Sequence, residues 1–385
     1  MTLKRDRVFW TVSLQLAIIN IYLGGFGPAQ PLLRAEQHTS LTVAGLHGTA
    51  MGVAAILAGF MTPHIVHKFG RAAASWLGFA LFAAGVLMFV FCPPVSLTLL
   101  ATLLGGFGVS TVINTMVTQL SGHYPKDATA AISQSSGIAS AGYIIGTLSV
   151  GAIASTSMSW RLGLLSVVPL AFLLYLYARP HISKEHVPPA NGPERGALST
   201  KFWIAWIGFI ACISTEFATT FWAAALVRDR VGSSAAISTL SMLAFGIGMA
   251  IGRWFGPTLL RRLNLDSKLK SVLTFQFVGF GIFWFSHIMW LSFLTLLMVG
   301  AGVSMQFALS STRLIQLSDG RPELAVGRSS LAAGIAIAAA PFLLGVFGDH
   351  LGISRAYLMV PVLIVIALGT LIAIPTQSRA LEASK

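Results

Sequence analysis

Charged residues are scarce in this sequence. Lys, Arg, Asp and Glu make up 10% of the 385 residues, whereas 55% are hydrophobic. An ordinary soluble domain carries about 25% charged residues, because its surface has to be solvated. The composition therefore excludes a soluble globular protein, and the mean hydropathy of +0.79 also excludes a disordered chain. It predicts an outer surface that faces lipid.

Cysteines and catalytic motifs are scarce as well. Cys92 and Cys212 lie far apart, in or at the edge of apolar runs, so they give neither metal-ligand spacing nor a disulfide framework. The sequence has no His-Glu-x-x-His, no Gly-x-Ser-x-Gly and no phosphate-binding Gly-x-x-x-x-Gly-Lys motif. We therefore expect no enzyme, no ATP-driven pump, no metal and no cofactor.

Long apolar runs dominate the chain. They are continuous and about 20 residues long, the length of a helix that crosses a bilayer, whereas a β-barrel would show alternating strands of about ten residues. The long polar gap at 179–201 predicts a linker between two six-helix bundles, at 1–178 and 202–385. The twelve predicted spans are 10–33, 44–66, 72–91, 96–119, 128–154, 160–178, 202–227, 235–260, 270–287, 289–312, 325–348 and 353–374.

The basic residues fall mainly on one side of this arrangement. With the N-terminus in the cytoplasm, the cytoplasmic segments hold 19 of the 25 Lys and Arg residues. This asymmetry is typical of a polytopic membrane protein, whose cytoplasmic loops are rich in Lys and Arg. It predicts a plasma (inner) membrane protein with both termini in the cytoplasm. The net charge of +13 then needs no nucleic-acid partner.

The two halves of the sequence repeat. Placing Arg34 on Arg228 aligns them without a gap, and six spans per half mean that both halves enter the membrane from the same side. Parallel repeats of this kind suit alternating access, in which two bundles move about a shared site. In the same register the matches include Pro63 with Pro257, Gly106 with Gly300, and Gly108-Val109-Ser110 with Gly302-Val303-Ser304.

The loop between spans 2 and 3 ends in Lys68-Phe69-Gly70-Arg71. Together with the repeat, the span count and the linker, this loop resembles the signature G-x-L-A-D-R-x-G-R of the major facilitator superfamily. His67 stands at the usual aspartate and Pro63 at the first glycine. The resemblance implies the twelve-helix major facilitator fold, a transport function, and a gating or structural role for Lys68, Gly70 and Arg71.

Spans 7 and 8 carry a finer resemblance. The segments Glu216-Phe217, Phe221-Trp222, Val231-Gly232-Ser233 and Gly252-Arg253 are similar to the fucose-permease-like branch of sugar–proton symporters. This resemblance implies uptake of a small polar solute such as a sugar, driven by a proton gradient.

Glu216 is the one acid near the middle of a predicted span. It lies about 14 residues from one end and about 11 from the other, close to the bilayer midplane. A charged carboxylate there costs at least about 2.5–3.5 kcal/mol, and apolar surroundings favour its neutral form. We predict that Glu216 couples transport to protons; the alternative is a structural acid hydrogen-bonded between helices.

Polar side chains in spans 1, 4, 7 and 10 are further candidates, because these spans line the cavity in the resembling family. Tyr22 corresponds to Glu216 in the repeat and shares a face of span 1 with Phe26 and Gln30. Asn20 lies about 200° around the helix and is expected to pack against neighbours. The alternative for each candidate is helix packing or hydrogen bonding. The predicted solute-binding residues are Tyr22, Gln30, Asn114, Thr219, Trp222, Gln306 and Ser310.

Two other features allow more than one interpretation, and a third predicts helix packing. In span 4 the face with Asn114 competes with the face of Thr115, and the sequence does not choose between them. Arg253 lies about 12 Å inside span 8, where a structural or gating role competes with binding an anionic group. In span 5, Gly137, Gly142, Gly146 and Gly151 predict close helix packing.

The sequence therefore predicts a monomeric secondary transporter in a lipid bilayer that takes up a small polar solute with protons. Efflux of hydrophobic compounds is the alternative, favoured by the aromatic residues near Glu216. A sensor that kept the fold and lost transport is a third possibility.

Overall fold

The protein is all-helical in the part that the computed structural model describes, residues 5–124, 128–178 and 196–376. Most of the predicted linker therefore lies outside the described residues. The helices are α1 (Arg7–Gln37), α2 (Leu41–Phe69), α3 (Arg71–Phe91), α4 (Val95–His123), α5 (Ala128–Ala154), α6 (Arg161–Leu165), α7 (Val167–Ala178), α8 (Thr200–Val231), α9 (Ala235–Leu259), α10 (Leu265–Phe285), α11 (Met289–Val303), α12 (Gln306–Gln316), α13 (Pro322–Leu351), α14 (Ile353–Ala356) and α15 (Met359–Ala373).

These helices follow the predicted spans closely. Ten segments of the described chain are long and apolar enough to cross a membrane. The helices α9 and α10 lie where spans 8 and 9 were predicted, and predicted span 7 is α8. Three predicted spans are each divided into two helices: span 6 into α6 and α7, span 10 into α11 and α12, and span 12 into α14 and α15.

The sequence repeat reappears in the positions at which helices begin. Residues Ser40 and Ser234 are both N-caps, and each side chain accepts a hydrogen bond from the N–H three residues on. Three helices of the first half begin at the position that the repeat aligns with a helix start in the second half: Leu41 and Ala235, Arg71 and Leu265, Val95 and Met289.

The helices α1 and α8 also end alike. His38 and Gly232, which the repeat aligns, both adopt the left-handed conformation, with φ of 52° and 66°. Each donates its N–H to an arginine carbonyl one turn back, Arg34 and Arg228. Glycine suits this cap because it has no Cβ to clash, whereas His38 adopts the conformation at a modest cost.

Glycines bring α1 and α5 into backbone contact. A Cβ added at Gly142 would lie 2.2 Å from the Ala17 carbonyl oxygen, and one at Gly146 would lie 1.8 Å from that of Ile21. The four-residue spacing places both glycines on one face of α5, as in other small-xxx-small contacts between membrane helices. The predicted close packing is confirmed at Gly142 and Gly146, and at Gly151, where a Cβ would lie 2.6 Å from the Leu240 side chain. It is not found at Gly137, where a Cβ would make an ordinary contact of 3.9 Å with Trp254.

The first seven and the last eight helices contact each other mainly along α2 with α13 and along α5 with α9. Gly52 packs against the backbone of Ala338, since a Cβ there would lie 2.3 Å from the Ala338 nitrogen. The corresponding Gly246 of α9 packs against the Tyr143 ring of α5. At one end, Asp349 of α13 accepts hydrogen bonds from the Leu41 and Thr42 N–H groups at the start of α2.

A small polar cluster joins the start of α1 to the end of α4. Asp6 caps α1 by accepting from the Phe9 N–H over 3.1 Å, and its carboxylate also contacts His123 and the Tyr124 hydroxyl. Partial burial opposes ionisation of Asp6, but these hydrogen bonds outweigh it and lower the pKa of the carboxyl. Burial and the neighbouring Asp6 raise the pKa of Tyr124 to about 12.

Candidate functional site

A cavity of about 100 Å³ lies where α1, α2 and α5 meet α8 and α9. It contains one carboxyl group, one guanidinium, three hydroxyl groups and one side-chain amide, and its remaining wall is apolar or aromatic. The lining residues are Asn20, Leu23, Phe26, Met51, Ser140, Tyr143, Glu216, Phe217, Thr220, Phe221, Gly246, Met249 and Arg253.

Glu216 lines this cavity from the middle of α8 and is half-buried. Among the described residues, no basic side chain lies within 4.0 Å of its carboxylate, and no hydrogen bond holds that carboxylate to a neighbouring helix. The Arg253 guanidinium nevertheless acts on it electrostatically from α9. The acid therefore faces an internal space and is not fixed to a neighbouring side chain.

Arg253 lines the same cavity from α9. Its Nη1 donates to the Ser140 hydroxyl of α5 over 3.2 Å, and its side chain is exposed. A guanidinium carries five N–H donors, so the single bond to Ser140 leaves the others open in the described part of the chain. The exposed arginine can thus meet a solute that enters the cavity.

Tyr143 supplies a hydroxyl to the same cavity. Its Oη is buried and forms no hydrogen bond of normal geometry with the described residues, and Thr220 is a nearby hydroxyl. Both Glu216 and Arg253 act on it electrostatically. A buried hydroxyl without a partner is unfavourable unless water or a solute binds it.

Aromatic rings form much of the remaining wall. The rings of Phe26 and Phe221 meet edge to face, with centroids 5.6 Å apart. Phe217 lines the cavity next to Glu216. Such rings can pack against the apolar body of a solute or stack on the face of a sugar.

The rotation of α1 differs from the predicted one. Asn20 lines the cavity, whereas Tyr22 is buried against Phe82, with ring centroids 5.4 Å apart. Two close backbone contacts fix this rotation. A Cβ at Gly24 would lie 2.0 Å from the backbone carbonyl oxygen of Tyr143, and one at Gly27 would lie 2.2 Å from the backbone carbonyl oxygen of Thr220. The expectation that Asn20 packs away from the cavity was therefore wrong, because glycine contacts determine which face of α1 turns inward.

The other predicted residues of spans 1 and 7 lie beside the cavity but do not line it. Gln30 donates to the Phe26 carbonyl over 3.3 Å, and Thr219 donates to the Thr215 carbonyl over 2.8 Å. The indole N–H of Trp222 donates to the Pro341 carbonyl of α13 over 2.9 Å. In this conformation all three make contacts within or between helices.

The candidates in spans 4 and 10 also lie outside this cavity. Gln306 donates to the Gln276 side chain over 2.6 Å, which ties α12 to α10, and Ser310 donates to the Gln306 carbonyl. Asn114 is exposed, whereas Thr115, on the competing face of α4, is buried. The expectation of a cavity lined by spans 1, 4, 7 and 10 thus holds here for spans 1 and 7, while α2, α5 and α9 form the other walls.

The loop between α2 and α3 has the geometry its glycine permits. Gly70 has a φ of 84°, ends α2 and begins α3, and donates its N–H to Val66. The Lys68 ammonium lies 5.3 Å from the centre of the Phe69 ring. The Arg71 carbonyl accepts from Gln119 of α4 over 3.5 Å, at the limit of a hydrogen bond. Their gating role stays a prediction.

Sequence reasoning missed three polar or hydroxyl-bearing lining residues, Asn20, Ser140 and Tyr143. Ser140 and Tyr143 are three residues apart on α5 and therefore share a face. Polar groups at helical spacing within an apolar run are the signal that could have indicated this second cavity-lining helix.

A family model matches most of the chain. The model described as Major Facilitator Superfamily matches residues 12–321. The chain belongs to the Major Facilitator Superfamily. It is accordingly a multi-pass membrane transporter and not an enzyme.

Solved structures of this superfamily share the fold. A bacterial homologue of the human lysosomal transporter Spinster, inward-facing and occupied, has a TM-score of 0.76 at 13% identity, covering 97% of each chain. Its inward-facing, unoccupied form has a TM-score of 0.75 at 13% identity, covering 98% of this chain and 99% of the other. The nucleoside transporter NupG has a TM-score of 0.77 at 12% identity, covering 96% and 100%.

Identities this low establish the fold and no substrate. Comparison with curated proteins found no match. The resemblance to the fucose-permease-like branch therefore stays a prediction.

Proposed function

We propose that this chain is a secondary transporter that takes up a small polar solute together with protons, with Glu216 as the proton-binding residue. The observation that carries the proposal is the free carboxyl of Glu216 in a cavity formed by helices from both halves of the sequence. A carboxyl that faces an internal space can exchange its proton with water or solute there, whereas one locked in an ion pair would not.

The proposed architecture is two six-helix bundles, residues 1–178 and 202–385, joined by the cytoplasmic linker 179–201. The helix starts that the repeat aligns support it, as do the contacts of α2 with α13 and of α5 with α9. We further propose a monomer in the cell membrane with both termini in the cytoplasm, on the basis of the Lys and Arg asymmetry. No cofactor enters the proposal, because the proton gradient supplies the free energy.

Coupling follows from the charge of Glu216. When its carboxyl is protonated, Glu216 itself carries no charge, so moving this side chain between environments as the bundles rearrange costs less. When the carboxyl has lost its proton, the exposed cation of Arg253 balances it within the same cavity. Binding of a proton thus changes the charge of Glu216 before the transporter passes from one access state to the other.

The fold similarity to inward-facing structures supports a conformation in which the cavity of this chain opens toward the cytoplasm. A nucleoside transporter with the same fold is a precedent for a small polar solute. A sugar is the solute class that the sequence resemblance implies.

The test uses purified protein in proteoliposomes with an inward proton gradient and a panel of neutral sugars, nucleosides and sugar acids. We expect wild-type protein to accumulate one of these solutes. Glu216→Gln keeps the shape of the side chain but holds no exchangeable charge, so accumulation should fall at least about tenfold while solute exchange continues.

Asp319→Asn is the matched control, because Asp319 is an exposed acid in a turn away from the cavity. It should leave accumulation unchanged. Proton-driven accumulation that is the same in Glu216→Gln as in wild type would refute the assignment of Glu216.

Efflux of hydrophobic compounds is the second candidate, favoured by the aromatic wall around Phe26 and Phe221. The two functions differ in direction. The same inward proton gradient is imposed in both assays. Proton-coupled uptake then moves the solute in the direction of proton flow, whereas proton-coupled efflux moves a hydrophobic dye in the opposite direction. Proton-dependent dye export that is abolished by Glu216→Gln would favour efflux.

A further inference from the structure

The proposed function gives Arg253 a role when Glu216 is ionised and leaves its role open when Glu216 is protonated. Two other arginines at helix ends have acidic partners and are buried: Arg161 binds Glu36 over 3.1 Å, and Arg313 lies 3.4 Å from Asp266. Arg253 has no acidic group within 4.0 Å among the described residues and lines the cavity beside Glu216. The acid that interacts with Arg253 electrostatically is Glu216, at a longer range than an ion pair.

The charge of the cavity depends on the state of Glu216. When Glu216 is ionised, its charge and that of Arg253 cancel. When Glu216 is protonated, one positive charge remains in a space with apolar walls, where charges interact more strongly than in water. A solute with one negative charge would then restore neutrality.

The cavity also has the groups needed to bind a carboxylate. Arg253 has free N–H donors beyond its bond to Ser140, and a guanidinium matches the two oxygens of a carboxylate. The buried Tyr143 hydroxyl has no hydrogen bond of normal geometry and can donate a further one. Leu23, Met51 and Phe217 line the same cavity and would contact an apolar body.

We propose that the transported solute is a small organic monoanion with a carboxylate and a compact, partly apolar body, and that Arg253 binds the carboxylate. Within that class, an acid derived from a sugar would bind in preference to a neutral sugar. The proposal rests on the proposed function, because protonated Glu216 leaves Arg253 free for the solute. Proton and anion then enter together in a ratio of one to one, and transport moves no net charge.

A small set of ionisable groups determines how anion binding depends on pH. Arg253 on α9 and Tyr143 on α5 are the charged and titratable side chains that interact with Glu216 in the described structure. Two others face α8 elsewhere: Tyr357 contacts Thr219, and Arg313 acts on Cys212. Protonation of Glu216 is therefore the step expected to strengthen anion binding as the pH falls.

Binding by purified full-length protein in detergent tests the proposal without a proton gradient. The probes are matched pairs of equal shape: benzoate and benzamide, phenylacetate and phenylacetamide, lactate and lactamide, and gluconate and gluconamide. At about pH 6 these acids are ionised, since carboxyl groups titrate near pH 4. Affinities come from isothermal titration calorimetry and from ligand-induced shifts in melting temperature.

We expect at least one anion to bind about tenfold or more tightly than its amide, because a hydrogen bond to a charged group contributes that much. Arg253→Gln should abolish the preference, and Arg253→Lys should retain part of it. Arg261→Gln, an exposed arginine at the end of α9, should keep it in full. Glu216→Gln should bind the anion with an affinity that no longer changes between about pH 6 and pH 8.

The melting temperature without ligand shows whether each variant is folded. If Arg253→Gln is not folded, Arg253→Lys still tests the proposal. Absence of an anion preference in all four pairs, or its persistence in folded Arg253→Gln, would overturn the proposal. Arg253-dependent anion binding without proton-driven flux would instead refute the proposed function alone. Proton-driven uptake of a neutral sugar without anion preference would refute this inference alone.

Discussion

At the residue scale, a substitution of Trp222 distinguishes a structural role of this side chain from a solute-binding role. Its buried indole ties α8 to α13 through the hydrogen bond to Pro341. Trp222→Phe keeps an aromatic ring but loses the donor and some packing. We expect it to lower stability by about 1–2 kcal/mol, measured as a lower melting temperature, while solute affinity stays unchanged.

Trp254→Phe is the control for this change, because Trp254 is 71% exposed and should tolerate substitution. A loss of solute affinity in Trp222→Phe at an unchanged melting temperature would return Trp222 to the solute site, where the sequence first suggested it.

The residues of the cavity were only partly predictable. Glu216 was found because an acid in the middle of an apolar run is costly and therefore conspicuous. Asn20 and Tyr22 could not be told apart in the same way, since both are polar and lie about 200° apart on α1. The close contacts of Gly24 and Gly27 decide between them, and these contacts depend on the neighbouring helices.

At the scale of the element, hydropathy and caps predicted most of the helices. Predicted span 5 ends at the same residue as α5, and predicted span 8 begins with α9 and ends one residue after it. The interruption between α11 and α12 at Ser304 and Met305 was missed, because neither residue is a Gly or Pro that would mark a break. Local sequence thus places the ends of helices better than it places breaks within them.

The contact between α1 and α5 yields a prediction about stability. Gly146 leaves no room for a side chain, because a Cβ there would lie 1.8 Å from a backbone oxygen of α1. Gly146→Val should therefore separate the two helices and lower stability by about 2–3 kcal/mol or prevent folding. Thermal unfolding in detergent, together with the yield of monodisperse protein, measures the effect.

Gly281 and Gly369 are suitable controls, because a Cβ at either would meet nothing within 4 Å. Gly281→Val should change the melting temperature little. Equal stability of Gly146→Val and Gly281→Val would show that α1 and α5 do not depend on this contact.

At the scale of the whole molecule, the repeat explains why the two halves meet as they do. Gly52 and Gly246 correspond in the repeat, and each lets a helix of one half pack closely on a helix of the other. The sequence could predict that such a pair exists. It could not predict which helices form the cavity in this conformation, because that depends on the relative position of the halves, which changes during alternating access.

The contact of Asp349 with α2 offers a test of this movement. Its carboxylate accepts from the Leu41 N–H over 2.8 Å, from the Thr42 N–H over 2.7 Å and from the Thr42 hydroxyl. It also lies at a helix N-terminus, where negative charge is favourable. The contact joins α13 to α2 across the two halves, so it stabilises the state in which this end of the molecule is closed.

We expect Asp349→Ala to shift the population toward the state that is open at this end, by about 1 kcal/mol or a factor of about five. Spin labels on cysteines introduced at Thr39 and His350, in a Cys92→Ser, Cys212→Ala background, would report a longer distance for a larger share of molecules. Asp229→Ala is the control, because Asp229 bonds Ser354 within the second half and should leave the distribution unchanged. Identical distance distributions for Asp349→Ala and the unmutated background would show that other contacts keep this end closed, with the glycine-mediated packing of α2 on α13 as the remaining candidate.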